Sequence, residues 1–249
     1  MRKAARRTVL CLAAILSGPL LVAVSGAISL TSDWRTANRE SAQLAPPPAT
    51  TPEAVVQVYA ARAFNWRGLI AVHTWIATKA PNASEYTVHQ VLGWNRWYGK
   101  SVVESAVDLP DRYWYDAKPE IVLDVRGEWA AGLIAPIEAA VAHYPYADHY
   151  RLWPGPNSNT FIAFIAREVP GLNLNLPVTA IGKDYLPAGA WWGAAPSGTG
   201  FQFSLGGVLG VLVAKTEGLE INIFGLVFGL DPLRPALKLP GLGRIGVGG

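Results

Sequence analysis

Three side chains could do chemistry together in this chain: the imidazoles of His73 and His89 and the hydroxyl of Ser158. Its four histidines, at 73, 89, 143 and 149, are the candidates for proton transfer near neutral pH, because the single cysteine, Cys11, sits in an N-terminal apolar run. The body therefore carries no disulfide, thiolate metal site or cysteine nucleophile. Strand alternation puts His73 on one face with Ala71 and Trp75, and a hairpin would bring His89 beside it. A lone strand histidine also reads as an ordinary core group. Ser158 falls in Trp153-Pro-Gly-Pro-Asn-Ser-Asn-Thr-Phe161, where two prolines and a glycine force a tight loop and Asn157 or Ser158 caps the helix that follows. A hydroxyl at that positive helix end is placed to attack a carbonyl, with free N–H groups for the oxyanion and Asn157, Asn159 and Trp75 as substrate or oxyanion support. The same residues read equally as a plain N-cap.

Other chemistries lack their residues. His143, Asp148 and His149 lie close together, but Pro145 breaks the i, i+4 helical spacing of a metal pair, so no metal is expected. The Gly-rich stretch 205–211 has no Lys-Ser/Thr and no strand-to-helix context, and G-x-S-x-G is missing, so no phosphate loop, serine elbow or cofactor is expected. Ten Trp could line a groove for a sugar or peptide, or serve core and membrane interface.

The positioning elements begin with an anchor. Thr8 to Leu30 is free of charge, follows Arg2, Lys3, Arg6 and Arg7, and is long enough to cross a hydrocarbon core. It reads as an uncleaved transmembrane anchor over 1–30, against the alternative of a cleaved signal peptide. Either way the body is exported, as a single-pass protein of the cytoplasmic membrane facing the periplasm or exterior. The chain's +3 charge rests on that basic cluster, and the nearly neutral remainder excludes nucleic acid as a partner. Residues 31–51 read as a Pro-rich spacer, and 52–249 as one exported domain.

Within it, Thr51-Pro52-Glu53 predicts a helix to about Ala61. Strands are expected over 67–79, 87–94, 102–109 and 120–125, and helices over 128–143 and 158–167. Short buried strands with Gly turns follow Gly198, and the Pro/Gly-rich tail predicts no regular element. The order gives an α+β fold, an antiparallel sheet with packed helices.

The run Ala54 to Arg62, then Trp66-Arg-Gly68, His73-Thr-Trp75, Gly155 to Phe161 and Asp231-Pro-Leu-Arg-Pro235 resemble a bacterial membrane-associated family, domain of unknown function 3750, which brings no established activity. Asn157-Ser-Asn-Thr-Phe161 is also similar to the N-C-x-x-F signature of circularly permuted NlpC-type and lecithin retinol acyltransferase-like papain folds. That likeness implies His73 as base, His89 as its orienting partner and Ser158 as nucleophile in place of the family's cysteine. A serine needs full general-base help, so the change leaves either a retuned enzyme or a scaffold that only binds. Two functions are therefore expected: a noncatalytic cell-envelope binding module, or a serine-dependent amide/ester hydrolase or acyltransferase acting on cell-wall peptides or lipids.

Overall fold

A computed structural model describes Arg6, residues 17–26 and residues 28–247, with the side chain of Ala188 excepted. Its first sheet contains β1 (Val55–Arg62), β2 (Val72–Lys79), β3 (Thr87–Val91), β4 (Val103–Val107) and β5 (Glu120–Arg126), in the antiparallel order β4-β3-β2-β1-β5. Two helices follow, α1 (Gly127–Ala142) and α2 (Ser158–Glu168). The chain then forms a seven-stranded antiparallel meander: β6 (Trp192–Ala194), β7 (Gly200–Leu205), β8 (Leu209–Ala214), β9 (Gly218–Ile223), β10 (Leu226–Asp231), β11 (Ala236–Leu239) and β12 (Gly243–Gly246). The α+β class with antiparallel sheets and packed helices is what the element order predicts.

Three local expectations are corrected. Residues 55–62 form the strand β1, not a helix: β1 lies between β2 and β5 with both faces covered, so Val55 to Ala61 are buried without alternation, and such a run carries no periodicity to separate strand from helix. The tail forms β11 and β12, because Pro235 and Pro240 fall just outside the strands, where no ladder donor is required. Residues 38–46 lie against the body instead of spacing it from a membrane. Buried Asp111 accepts hydrogen bonds from the backbone amides of Leu44 and Ala45 and from Ser41 Oγ, and Leu44 and Ala45 pack beside Trp75 and Tyr86.

The main core lies between the first sheet and the helices. Val56, Val58 and Ile76 turn toward Leu133 and Ile137 of α1 and Phe161, Ile162 and Ile165 of α2. On α1 the buried positions Ala130, Leu133, Ile137 and Ala140 recur at helical spacing and form one stripe. Burying a side chain the size of Leu133 or Ile137 contributes about 1.5–3 kcal/mol against the entropy of ordering it. The opposite face of the sheet carries Tyr59, Trp75, Ala77 and Val88.

The second sheet reverses this arrangement. Its inner positions include Gln202, Ser204, Glu220, Asn222 and Lys238, all buried, and its compact apolar cluster is only Ala195, Leu212 and Ala214. Outward positions hold no polar side chain in any of the seven strands, and Phe201, Val211, Val213 and Ile221 are exposed. The strands expected to be buried are thus buried on one face only. Residues 17–24 are helical, and the Gly18 and Gly241 backbones approach Pro240 and Pro19, which sets this segment against the β11–β12 turn. Among the described residues no helix is long and apolar enough to cross a membrane; residues 8–16 of the expected anchor, Cys11 included, lie outside them.

Candidate functional site

The loop before α2 has two cis peptide bonds, Trp153-Pro154 and Gly155-Pro156, and delivers Asn157 as the N-cap. Asn157 Oδ1 accepts from the amides of Asn159 and Thr160 at 2.9 and 3.1 Å, and Thr160 Oγ1 accepts from the Asn157 amide, a complete capping box. Asn157 Nδ2 donates to the carbonyls of Leu152 and Ile181, each at 3.0 Å. Gly182 makes room for this: a Cβ there would lie 2.4 Å from Asn157 Nδ2, on a backbone with φ of +100°. Asn159 is equally committed, accepting from Thr74 Oγ1 at 2.9 Å and donating to the carbonyls of Val72 and Ile181. The donors expected to support an oxyanion therefore hold α2 to β2 and to the loop at Ile181. Trp75 is buried too, its indole N–H donating to the Pro110 carbonyl at 2.7 Å and its ring stacked 5.5 Å from Tyr59.

The structure does not bring the three expected catalytic groups together. Thr74 points to α2, so His73, one residue earlier on β2, points to the far face of the sheet. There its ring lies 3.6 Å from that of Trp114 and 5.7 Å from that of Trp75, with Nε2 3.4 Å from Gln90 Oε1. Burial between indoles pushes its pKa down to about 3, against a weak opposing hydrogen bond to Gln90. His89 pairs with Ile76, which faces the helices, so the two imidazoles lie on opposite faces. The expected hairpin forms, with Ile76 opposite His89, and a one-residue change of register would exchange the faces. His89 Nδ1 shares a 2.8 Å hydrogen bond with Ser105 Oγ, its buried Nε2 has no partner, and burial lowers its pKa to about 4. Ser158 is buried, and its Oγ makes no hydrogen bond with either ring or with any other described group.

Sequence reading missed a cleft of about 410 Å³ between the two sheets. Arg62, Lys118, Lys238 and Arg244 line it, with Glu120 as the single acidic side chain. Arg62 donates to the carbonyls of Gly68 and Gly241, and Glu120 opposes the drop in its pKa that burial causes. Lys118 is exposed and makes no hydrogen bond or ion pair. No spacing signal could have found this cleft, because its cations come from four separate segments. Among the described residues no group of three His, Cys, Asp or Glu is placed to hold a metal.

No curated protein and no solved structure matches the chain, so the likeness to permuted papain folds rests on the Asn157 to Phe161 residues alone. Residues 53–185, just over half of the chain, match the family model described as Protein of unknown function (DUF3750), and the chain belongs to that family.

Proposed function

We propose that this chain is a noncatalytic binding module of the cell envelope, tethered to the membrane by residues 8–30, with its ligand site in the cleft between the sheets. The ligand class is a cell-wall peptide or lipid fragment bearing a carboxylate or phosphate. One observation carries the reading: where polar groups are committed and where they are not. At the start of α2 the side chains of Asn157 and Asn159 are spent on the fold and His73 faces the other way, whereas in the cleft Arg62, Lys238 and Arg244 are held by the fold and the Lys118 ammonium is unpaired. A charge-assisted hydrogen bond to such an ammonium contributes about 1.5–3 kcal/mol.

The test is calorimetric titration of the full chain with muramyl dipeptide, a carboxylate-bearing cell-wall fragment. Lys118→Glu should weaken binding about tenfold or more. Equal binding by the variant and the natural chain would remove the cleft from the reading. The unpartnered Ser158 Oγ supports the second reading, a serine-dependent hydrolase or acyltransferase. A fluorophosphonate probe decides between them. Labelling at Ser158 that disappears in His89→Ala would establish the enzyme, and an unlabelled Ser158 is the expected result.

A further inference from the structure

The geometry points to the outward face of the β6–β12 sheet as a surface that docks on the hydrocarbon–headgroup boundary of a lipid bilayer. This extends the proposed tethering from the N-terminal segment to the body, and rests on that reading for the origin of the membrane.

Four observations meet on this face. Every outward position is apolar, while charged and amide side chains fill the inner one, so the sheet is inverted relative to one facing water. Seven strands about 4.8 Å apart, four of them six residues long and three of them shorter, give an apolar area on the order of 500 Å², in the upper range of the largest patch that a soluble monomer exposes, which is often functional. The ends of the sheet differ in charge. At one end Lys215 and Arg234 are exposed while the acidic Glu217 and Asp231 beside them are buried, so the rim shows cations alone, suited to anionic headgroups. At the other end the turns at Gly206-Gly207, Phe224-Gly225 and Gly241-Leu242 hold no charge. Finally, the apolar segment 17–24 packs at that uncharged end, against Pro240 and Gly241, and exposes Leu20, Leu21 and Val24. Residues 17–24 of the uncharged run thus lie beside the uncharged edge of the sheet.

A second copy of the chain fits the face less well. Protein interfaces carry about one hydrogen bond per 100–200 Å², which demands polar groups to fix the partner's position, and this face offers none. Lipid needs no register. Trp192, outward on β6 and 70% exposed, is the residue type that settles at headgroup depth. The backbone groups inside the meander are paired strand to strand, so the face itself brings no unsatisfied N–H or C=O to the hydrocarbon.

The experiment uses the full chain in vesicles of phosphatidylethanolamine and phosphatidylglycerol. A Cys11→Ser background carries Ile221→Cys or, as control, Glu138→Cys on the exposed side of α1, each labelled with an environment-sensitive fluorophore. The label at 221 should be quenched by nitroxide-bearing lipid and shielded from aqueous iodide, and the label at 138 should behave in the opposite way. A chain that floats with the vesicles while iodide quenches position 221 overturns the docking surface and leaves the tether intact. Shielding from both quenchers together with a doubled mass also overturns it, in favour of a second copy. Leu20→Arg/Leu21→Arg separates the two ideas: if this variant still floats with position 221 quenched by lipid, the tether is lost and docking stands. Adding Val211→Lys/Leu219→Lys to that background should then abolish flotation, and continued flotation would overturn the proposal.

Discussion

In the β1–β5 sheet, Val56, Val58 and Ile76 meet the helices, and polar side chains inside tie single elements together, as Asn159 does to Thr74, while Gln57 Nε2 and His89 Nε2 are buried without a partner. In the β6–β12 sheet the buried layer is the polar one. Lys183 Nζ donates to Glu220 Oε2 and to the Leu176 carbonyl, and Lys238 Nζ to Glu220 Oε1 and the Glu217 carbonyl. Asn222 reaches Asp184, and Arg167 on α2 reaches Gln202. The first sheet is held by burial of area, which tolerates small errors of geometry. The second is held by a charged network, stable only while complete, because a lost partner leaves a charge stranded at low dielectric. The family match at 53–185 covers the first sheet and both helices, and the inverted sheet lies beyond it.

Acid should expose this difference most strongly. His73 and His89 both belong to the first sheet, and burial holds them at about 3 and about 4. The unfolded chain, with rings near 6.5, binds more protons, so stability rises with pH in this range and is lost as pH falls below about 6.5. Each ring removes about 1.4 kcal/mol per pH unit until its folded value is passed, several kcal/mol by pH 4.5. Glu220 behaves otherwise. Burial alone would raise its pKa, but Lys183 and Lys238 outweigh this and hold it below the usual carboxylate range, so its contribution is lost only as pH falls below about 4.3. Urea midpoints between pH 7 and 4.5 should therefore fall steeply, and His73→Phe, which keeps the ring stack, should remove about half of the slope. A flat profile would show that the imidazoles are solvated.

Next in size is the network itself. Glu220→Ala leaves two buried ammonium groups without their carboxylate and should cost about 3–5 kcal/mol. Replacing the whole set, Lys183→Met/Glu220→Leu/Lys238→Met, should be neutral or stabilising by about 1–4 kcal/mol. If the single variant is mild, the inner layer holds water and the contrast between the sheets disappears. Asn157→Ala comes third, at about 2 kcal/mol, since it removes the acceptor of two helix amides and leaves the Leu152 carbonyl without its donor, while the Ile181 carbonyl keeps Asn159 Nδ2. Thermal unfolding reads both.

Much of the first sheet was legible in sequence because its signals are local. Turn residues at 81–84 marked the β2–β3 hairpin, Asn157 followed by a helical apolar stripe marked α2, and 128–143 located α1 almost to the residue. Two losses share one cause. The faces of His73 and His89 depend on which residues pair across the hairpin, and β1 has both faces covered, so each outcome is set by partners distant in sequence. In β8 and β9 the alternation is plain, with Gly210, Leu212, Glu220 and Asn222 on one face and Val211, Val213, Leu219 and Ile221 on the other. What misleads is the habit of assigning the apolar set inward. Glu220 and Lys238 go inside because they complete one another and Lys183, and such complementarity carries no periodicity.

The smallest expected effect tests that assignment most directly. Val211→Lys places a charge at the centre of the outward face of β8, between Phe203 and Ile221. If 211 faced a packed core, an unpaired ammonium there would cost several kcal/mol and the chain would not fold. Because the side chain is 42% exposed, the long lysine stem can lie along its neighbours with the charge free, and the cost should stay within the roughly 1 kcal/mol span of strand propensities. Chemical denaturation of the Val211→Lys and Glu220→Ala chains side by side therefore ranks two adjacent strands of one sheet by face alone. A Val211→Lys penalty as large as that of Glu220→Ala would mean that both faces are covered, and the inverted sheet would become the middle layer of a larger packing.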